Sequence, residues 1–339
     1  MFTVHTAKAL PGQQSPQPRQ HARSGTPTTQ AQANSKDFMK STWRRQNRSE
    51  WTIYHWLFEI VGVHPTYLDN EIPVHQKEEK VPHMHEWSLH RWIILHAFVP
   101  IILQHLYVTW TGRNFTAWQA AFFYSAALQI ISIHEFYILR RISHQTGFLD
   151  GDVHERDGCP MSGVICTVFL SYYVSQVPAD MGWLWLPLEA GLYGIVLDFW
   201  FYSYHRLMHE VASLWKYHRT HHLTKHPNPL LTLYADTEQE FSILSASHSS
   251  YLVFAELVGH SGLRLYLPIP NTLNPLLCWF NCELIIEDHD LHHRKGWKSS
   301  GNYGKQTRLW DRIFGTCKDR IECRDDNIDW ENTITMPLL

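Results

Sequence analysis

The sequence predicts an all-α integral membrane protein, with about four transmembrane helices and a cytosolic helical cap that carries three histidine groups. Three observations support this fold class. Apolar runs of bilayer-spanning length recur between residues 92 and 204, basic residues concentrate on one side of these runs, and histidines repeat at helical spacing beyond residue 204.

The predicted membrane region consists of four apolar runs. Their residues are 92–110, 116–139, 161–177 and 183–204. Each is about as long as the hydrocarbon core is thick, although the third is near the minimum, and the fourth leads directly into the first histidine group. Two later apolar stretches, 241–258 and 276–286, are either further spans or half-buried helices of the cap, and the second interpretation is favoured.

The distribution of charge orients the predicted spans. The short loop between the first two runs carries Arg113 alone, and the loop before the fourth run has one acidic residue and no basic one. On the opposite side lie the Arg-rich N-terminal segment, Arg140, Arg141 and the basic residues of the histidine region. Because cytosolic loops are enriched in Lys and Arg, the N-terminus, the histidines and the C-terminus are predicted to be cytosolic.

The N-terminal segments differ from the spans in composition. Residues 1–36 contain no acidic residue and are rich in Gln, Pro, Ser and Thr, which favours a disordered tail over the alternative of a mitochondrial transit peptide. The next segment combines tryptophans with basic side chains, which suits an amphipathic segment at a bilayer surface, with a small soluble subdomain as the alternative. The predicted organisation is a disordered tail (1–40), an interfacial segment (41–90), transmembrane helices (91–204), the histidine-rich cap (205–320) and a C-terminal tail (321–339).

Composition also argues against some functional classes. The net charge is −3 and no basic stripe with interleaved aromatic residues is present, so a nucleic-acid-binding protein is not expected. The six cysteines include no CxxC pair and no zinc-finger spacing. We expect all six cysteines to be reduced and structural.

Three histidine groups have the spacing of metal ligands. His205 and His209 are four residues apart, so on a helix they project from the same face. The other two groups repeat a spacing of three and four residues, which again predicts one helical face for each; they are His218-His221-His222 and His289-His292-His293. Neutral imidazole is a common ligand for iron and zinc, and these eight histidines exceed what one four- to six-coordinate ion uses. The spacing therefore predicts a two-metal site.

Further motifs accompany the histidine groups in a defined order. The series is HRxxH at 205–209, HxxHH at 218–222, His-Ser-Gly at 260–262, HDxHH at 289–293, Gly-Asn-Tyr at 301–303 and Trp-Asp-Arg-Ile-Phe-Gly-Thr at 310–316. This ordered set resembles the fatty acid hydroxylase/sterol desaturase superfamily, over about residues 160–317. The resemblance implies a multi-pass membrane enzyme of the endoplasmic reticulum that binds two non-haem irons and uses O2. It also implies electrons from NAD(P)H, delivered by a separate cytochrome b5 or its reductase.

The same resemblance implies nine metal ligands and three further candidates. The ligands are His205, His209, His218, His221, His222, His260, His289, His292 and His293. Asp198 stands where the family often has an acid, and we expect it to accept a hydrogen bond from a ligand imidazole. Where many members have His-Pro, this chain has Asp236, which either ligates through oxygen or leaves one site a ligand short. His248, in an apolar run, is a further candidate ligand.

The chemistry of these residues agrees with an oxidase. Breaking an unactivated C–H bond requires a redox metal, and nitrogen-rich ligation suits iron. We therefore expect an oxidoreductase that hydroxylates or desaturates a sterol, sphingoid or other lipid-like substrate drawn from the membrane lipids, and the sequence leaves these two outcomes open. A tailoring oxidase of a terpenoid or polyketide pathway is an alternative on the same scaffold. A non-catalytic membrane scaffold or metal-binding protein is the alternative from another class.

Overall fold

The computed structural model describes residues 43–151, 184–223, 225–233 and 250–339. These residues form mainly helices, together with a two-stranded sheet. The helices are α1 (Ile53–Val61), α2 (Glu86–Thr111), α3 (Ala117–Thr146), α4 (Leu186–Glu210), α5 (Ala212–His218), α6 (Ser250–Gly259), α7 (Asn274–Trp279), α8 (Ile286–Lys295) and α9 (Leu309–Phe314), and the strands are β1 (Val81–Met84) and β2 (Ile328–Ile334). The predicted disordered tail, the third apolar run, Asp236 and His248 lie outside the described residues.

Helices α2 and α3, which correspond to the first two apolar runs, are candidate membrane-spanning helices. Helix α2 ends at Gly112, whose φ of 66° is readily adopted by glycine, and α3 begins at a capping box formed by Thr116 and Gln119. Many of the apolar side chains of α2 are exposed, among them Phe98 and Ile102. Exposed apolar side chains on a helix of this length are typical of contact with lipid.

The number of spans is supported only in part. Within the described ranges, α2 and α3 alone combine the length and the mean hydropathy of a membrane-crossing helix. The fourth predicted run, 183–204, corresponds mostly to α4, which continues without interruption through the first histidine pair. The third run is not described, so the count of about four spans stays a prediction.

The later apolar stretches form shorter elements where they are described. Helix α7 has six residues, far fewer than the roughly 20 that cross a bilayer. The ten residues of α6 pack against α2, α3 and α8, and its side chains Phe254 and Val258 are buried in the core. Helix α6 therefore connects the two candidate membrane helices to the histidine-bearing helix α8.

The C-terminal residues are held against the rest of the chain. Strand β2 pairs in parallel with β1, with Val81 opposite Ile328 and a shift in register after Pro82. The buried carboxylate of Glu287 on α8 accepts hydrogen bonds from the backbone N–H groups of residues 321–323 at 2.7–3.0 Å. Segment 321–339, which the sequence assigns to a tail, thus carries a strand and contacts the start of α8.

Candidate metal centre

Helix α4 places the first histidine pair. His205 and His209 lie one turn apart, and both side chains are buried. Nδ1 of His205 lies 2.8 Å from the carbonyl oxygen of Tyr303, and Nδ1 of His209 lies 2.9 Å from that of Trp297. A carbonyl oxygen only accepts hydrogen bonds, so each Nδ1 carries the proton and each Nε2 keeps its lone pair.

The second histidine group does not share one helical face. Helix α5 ends at His218, and residues His221–Leu223 form a separate 3-10 turn. The sequence-based expectation of a single helical face for His218, His221 and His222 is therefore wrong. The rings of His221 and His222, which both lie in this turn, stand 88° apart, and their centroids are 5.6 Å apart.

Helix α8 divides the third group in a similar way. His289 and His293 share one face of α8, whereas His292 points about 100° around the helix axis from its neighbour, as the helical geometry requires. Nδ1 of His292 donates a hydrogen bond of 2.7 Å to the carbonyl oxygen of Gly301. All three side chains are buried.

The nine histidines predicted as ligands converge in two clusters, and within each cluster the candidate ligand atoms lie within 4.8 Å of one another. The five-histidine cluster consists of His205, His209, His218, His222 and His292. The four-histidine cluster consists of His221, His260, His289 and His293. The clusters adjoin each other, since the ring centroids of His222 and His293 are 4.5 Å apart.

The donor set fits metal ions. In the five-histidine cluster, the backbone carbonyls leave lone pairs on Nε2 of His205, His209 and His292, and Nε2 of His209 is buried without a hydrogen-bond partner among the described residues. In the four-histidine cluster, Nδ1 of His260 donates to the carbonyl of Glu256 at 2.8 Å, which also leaves a lone pair on Nε2. Converging buried lone pairs are unfavourable unless a cation or donor lies between them.

Burial keeps these imidazoles in the ligand form. It lowers the pKa of His209 to about 4, against the opposing effect of the hydrogen bond to Trp297. Burial is also the main reason that the pKa of His222 and of His293 lies well below the ordinary value, and the neighbouring imidazoles lower both further. Only the neutral ring can bind a metal, so the two clusters are prepared for ligation at neutral pH.

Asp198 has a different role from the expected one. Its carboxylate is fully buried and accepts hydrogen bonds from the backbone N–H groups of residues 305–307 at 2.7–3.0 Å and from the hydroxyl of Thr307 at 2.9 Å. The expected bond from a ligand imidazole is therefore replaced by a bond network to this loop. The histidine Nδ1 atoms described above find backbone carbonyls instead, so no carboxylate is needed to orient them.

The sequence motifs assigned no role to two residues of the site, Gly301 and Lys305. Gly301 supplies the carbonyl for His292, and a Cβ there would lie 2.3 Å from the carbonyl oxygen of Thr316, so the close approach requires glycine. Lys305 reaches the four-histidine cluster, where its Nζ lies 3.4 Å from Nε2 of His260. The Gly-Asn-Tyr motif pointed to this loop, but nothing in the motif marked Lys305 as part of the site.

Comparison with known proteins agrees with the geometry. The family model for fatty acid hydroxylase matches residues 190–316, which include every histidine of both clusters. The fatty acid hydroxylase vlmA of a Lecanicillium species is 35% identical over 79% of this chain and 87% of its own length. Human alkylglycerol monooxygenase is 26% identical over 44% of this chain and 34% of its own length. The Δ7-sterol-C5(6)-desaturase of Nicotiana tabacum is 27% identical over 42% of this chain and 55% of its own length.

No solved structure matches the chain.

The relatives are named hydroxylase, monooxygenase and desaturase, which are all oxidoreductases, and most of these names refer to lipids. The described residues add two candidate membrane helices and a histidine-rich metal site. The chain therefore belongs to the fatty acid hydroxylase/sterol desaturase superfamily and is a lipid-modifying oxidoreductase of the membrane.

Proposed function

We propose that this protein is a di-iron oxidase that uses O2 to hydroxylate a lipid-like substrate, with desaturation as the other possible outcome of the same chemistry. One observation carries the proposal: nine imidazoles, eight of them buried and that of His222 half-buried, form two adjoining clusters, and no carboxylate belongs to either cluster among the described residues. An all-nitrogen donor set suits a redox metal such as iron. A hydrolytic zinc site would normally include a carboxylate base and fewer imidazoles.

The chain's own residues would hold and shield the metals. One iron would be bound by the five-histidine cluster and the other by the four-histidine cluster, and together they would supply the oxidation of an unactivated C–H bond. The backbone carbonyls of Trp297, Gly301 and Tyr303 orient the rings by accepting their Nδ1 protons. Burial of the clusters excludes bulk water, which would otherwise compete for the reactive centre.

A lipid substrate is supported by the connection between the clusters and the membrane helices. Helix α6 carries Glu256 and leads into His260, and it packs against α2 and α3. The relatives vlmA and alkylglycerol monooxygenase are named for fatty acids and alkylglycerols. We propose that the alkyl chain of a sterol, sphingoid or related lipid reaches the site from the bilayer, along this helical junction.

We further propose a cytosolic orientation on the endoplasmic reticulum membrane. In this arrangement about four spans carry the cap, both termini are cytosolic, and a separate cytochrome b5 or its reductase delivers electrons from NAD(P)H. Helix α1 supports this orientation. It exposes Ile53, Trp56, Leu57 and Ile60 on one face, and the phenol of Tyr137 on α3 donates a 2.6 Å hydrogen bond to the carbonyl of Val61. An exposed apolar stripe next to the Arg140 end of a span suits a helix that lies on the cytosolic membrane surface.

The decisive experiment compares metabolites with and without the protein. The gene is deleted in the native host and complemented with the wild type, with the double variant His221→Ala/His292→Ala, or with His105→Ala as a matched control. His105 is an exposed residue of α2 that belongs to neither cluster. Lipids and small metabolites are then compared by mass spectrometry.

The accumulating precursor identifies the reaction. A precursor that lacks one oxygen, in the deletion and the double variant alike, would establish a hydroxylase. A precursor with two additional hydrogens would establish a desaturase, and a terpenoid or polyketide precursor would establish the tailoring alternative. Wild-type and His105→Ala complements should restore the product. Identical metabolites in all strains would contradict an oxidase and favour the scaffold or metal-binding alternative.

A further inference from the structure

Lys305 is the cationic side chain that enters the four-histidine cluster. It is 8% exposed, and its Nζ lies 3.4 Å from Nε2 of His260 and 3.5 Å from Nε2 of His289. Its ammonium also lies 5.7 Å from the centroid of the Phe201 ring. The side chain therefore reaches the atoms that face the interior of the cluster rather than the solvent.

Two carboxylates hold this lysine in place. The backbone N–H of Lys305 donates to Asp198 at 2.7 Å, and its Nζ forms a 2.7 Å ion pair with Glu256. Glu256 precedes His260 by one helical turn, so the helix that leads into the ligand also carries the partner of the lysine. The backbone and the side-chain ammonium of Lys305 are thus each bound to an element that forms the site.

The two clusters differ in the groups that converge at their centres. The five-histidine cluster has five converging imidazoles, whereas the described residues give the other cluster four imidazoles and this ammonium. An ammonium group has no lone pair and cannot bind a metal. Among the described residues, the four-histidine cluster thus offers a metal one imidazole fewer, and the ammonium of Lys305 lies beside its Nε2 atoms.

Metal binding would remove the hydrogen-bond acceptor that the Lys305 ammonium has at Nε2 of His260. Nδ1 of His260 donates to the Glu256 carbonyl, so Nε2 of His260 has the lone pair that accepts a hydrogen bond from Lys305. A metal ion would take that lone pair, and the ammonium would then lie close to a second cation. An anion or oxygen donor between the two positive charges removes this repulsion and accepts the hydrogen bond.

We propose that Lys305, positioned by Glu256, forms a binding site for a small anionic or oxygen-donor ligand at the metal of the four-histidine cluster. This metal would then be the one with an exchangeable coordination position. The inference rests on the proposed function, because it assumes that both clusters bind iron. Lys305 acts here as a ligand-binding and positioning residue, by donating a charge-assisted hydrogen bond.

The test measures anion binding rather than turnover. The full chain is purified in detergent or lipid nanodiscs and loaded with iron, and its iron content is measured by mass spectrometry. Azide is then titrated, and its affinity is read from the iron–azide charge-transfer absorption. The variants are Lys305→Met, Lys305→Arg and Glu256→Gln, and the control is Lys295→Met, which removes an exposed lysine at the end of α8.

The expected result is a loss of affinity with iron retained. Lys305→Met should weaken azide binding about tenfold or more, since a charge-assisted hydrogen bond is lost. Glu256→Gln should weaken it less, and Lys305→Arg and Lys295→Met should stay near the wild type. Thermal unfolding of each variant checks that it is folded.

Three outcomes would overturn the inference, and they differ from one another. Wild-type azide affinity in an iron-loaded Lys305→Met protein would refute the ligand site and leave the proposed function intact. Loss of one iron from that variant would show that Lys305 supports metal binding instead. Failure of the wild type to bind iron would refute the proposed function, and the inference with it.

Discussion

His292 and His293 are adjacent in the chain, yet their imidazoles enter different clusters, with ring planes 86° apart and centroids separated by 5.7 Å. His221 and His222 are divided in the same way. Each HxxHH motif therefore contributes to both candidate metal sites. This arrangement makes the two sites share the elements that position them, while each site keeps its own ligands.

We predict that single ligand substitutions affect one metal each. His205→Ala removes a ligand of the five-histidine cluster and His289→Ala one of the other, so each should lower the bound iron by about one ion per chain, because the remaining imidazoles of the other cluster are unchanged. The measurement is iron content by mass spectrometry, with His105→Ala as the control. Loss of both ions from both variants would indicate a single cooperative site.

We predict that Gly301→Ala disrupts the five-histidine cluster. A Cβ at Gly301 would lie 2.3 Å from the Thr316 carbonyl, so the backbone that accepts the His292 proton must shift. The free energy of unfolding should fall by about 2 kcal/mol or more, with loss of iron from this cluster. Thermal unfolding and iron analysis measure both effects. Gly259→Ala is the matched control, since a Cβ there meets nothing within 4 Å, and equal behaviour of the two variants would contradict the prediction.

We predict that the metal-free protein loses stability as the pH falls from about 6.5 to about 4. Burial lowers the pKa of His209 from its ordinary value of 6.5 to about 4, so in this interval the unfolded chain binds more protons than the folded one. With respect to His209, the free energy of unfolding is therefore constant above about pH 6.5 and falls as the pH is lowered below that value. Thermal unfolding of chelator-treated protein between pH 7.5 and about 4.5 measures the effect, and an unchanged midpoint would refute it.

We predict that the exposed face of α1 contacts lipid. A spin label attached to Ile60→Cys, whose side chain is 79% exposed, should be more accessible to oxygen than to a water-soluble nickel complex in nanodiscs. The same label at Glu50→Cys, an exposed polar position before α1, should show the reverse order. Greater access of the nickel complex to both labels would place α1 in water.

Local sequence patterns predicted much of the candidate site. The spacing of His205 and His209, and of His289, His292 and His293, follows the helical repeat, so their projection was predictable from the chain alone. Hydropathy likewise predicted α2 and α3, since the apolar side chains of a helix of this length are more stable in contact with lipid than with water. These features depend on residues that are near one another in the chain.

Local sequence patterns could not predict contacts between residues that are far apart in the sequence. Asp198 lies 107 residues before its partner Lys305, and its carboxylate bonds to a loop where an imidazole was expected. The pairing of β1 with β2 brings together residues that are very distant in the sequence, for example Val81 and Ile328. No periodicity relates such partners, because their approach depends on how the helices pack.

The sequence by itself predicted eight of the nine histidines, their order, and the two apolar helices, because local spacing and hydropathy act within a single helix, whereas His260 followed only from the resemblance to a family. The tertiary structure alone decided which imidazoles share a cluster, and it brought Lys305 and Glu256 beside His260. The physical reason is that a cluster is a property of helix crossings and turn geometry. The helix break after His218 places His221 and His222 in a separate turn, and the packing of α6 against α8 brings His260 beside His289 in the second cluster.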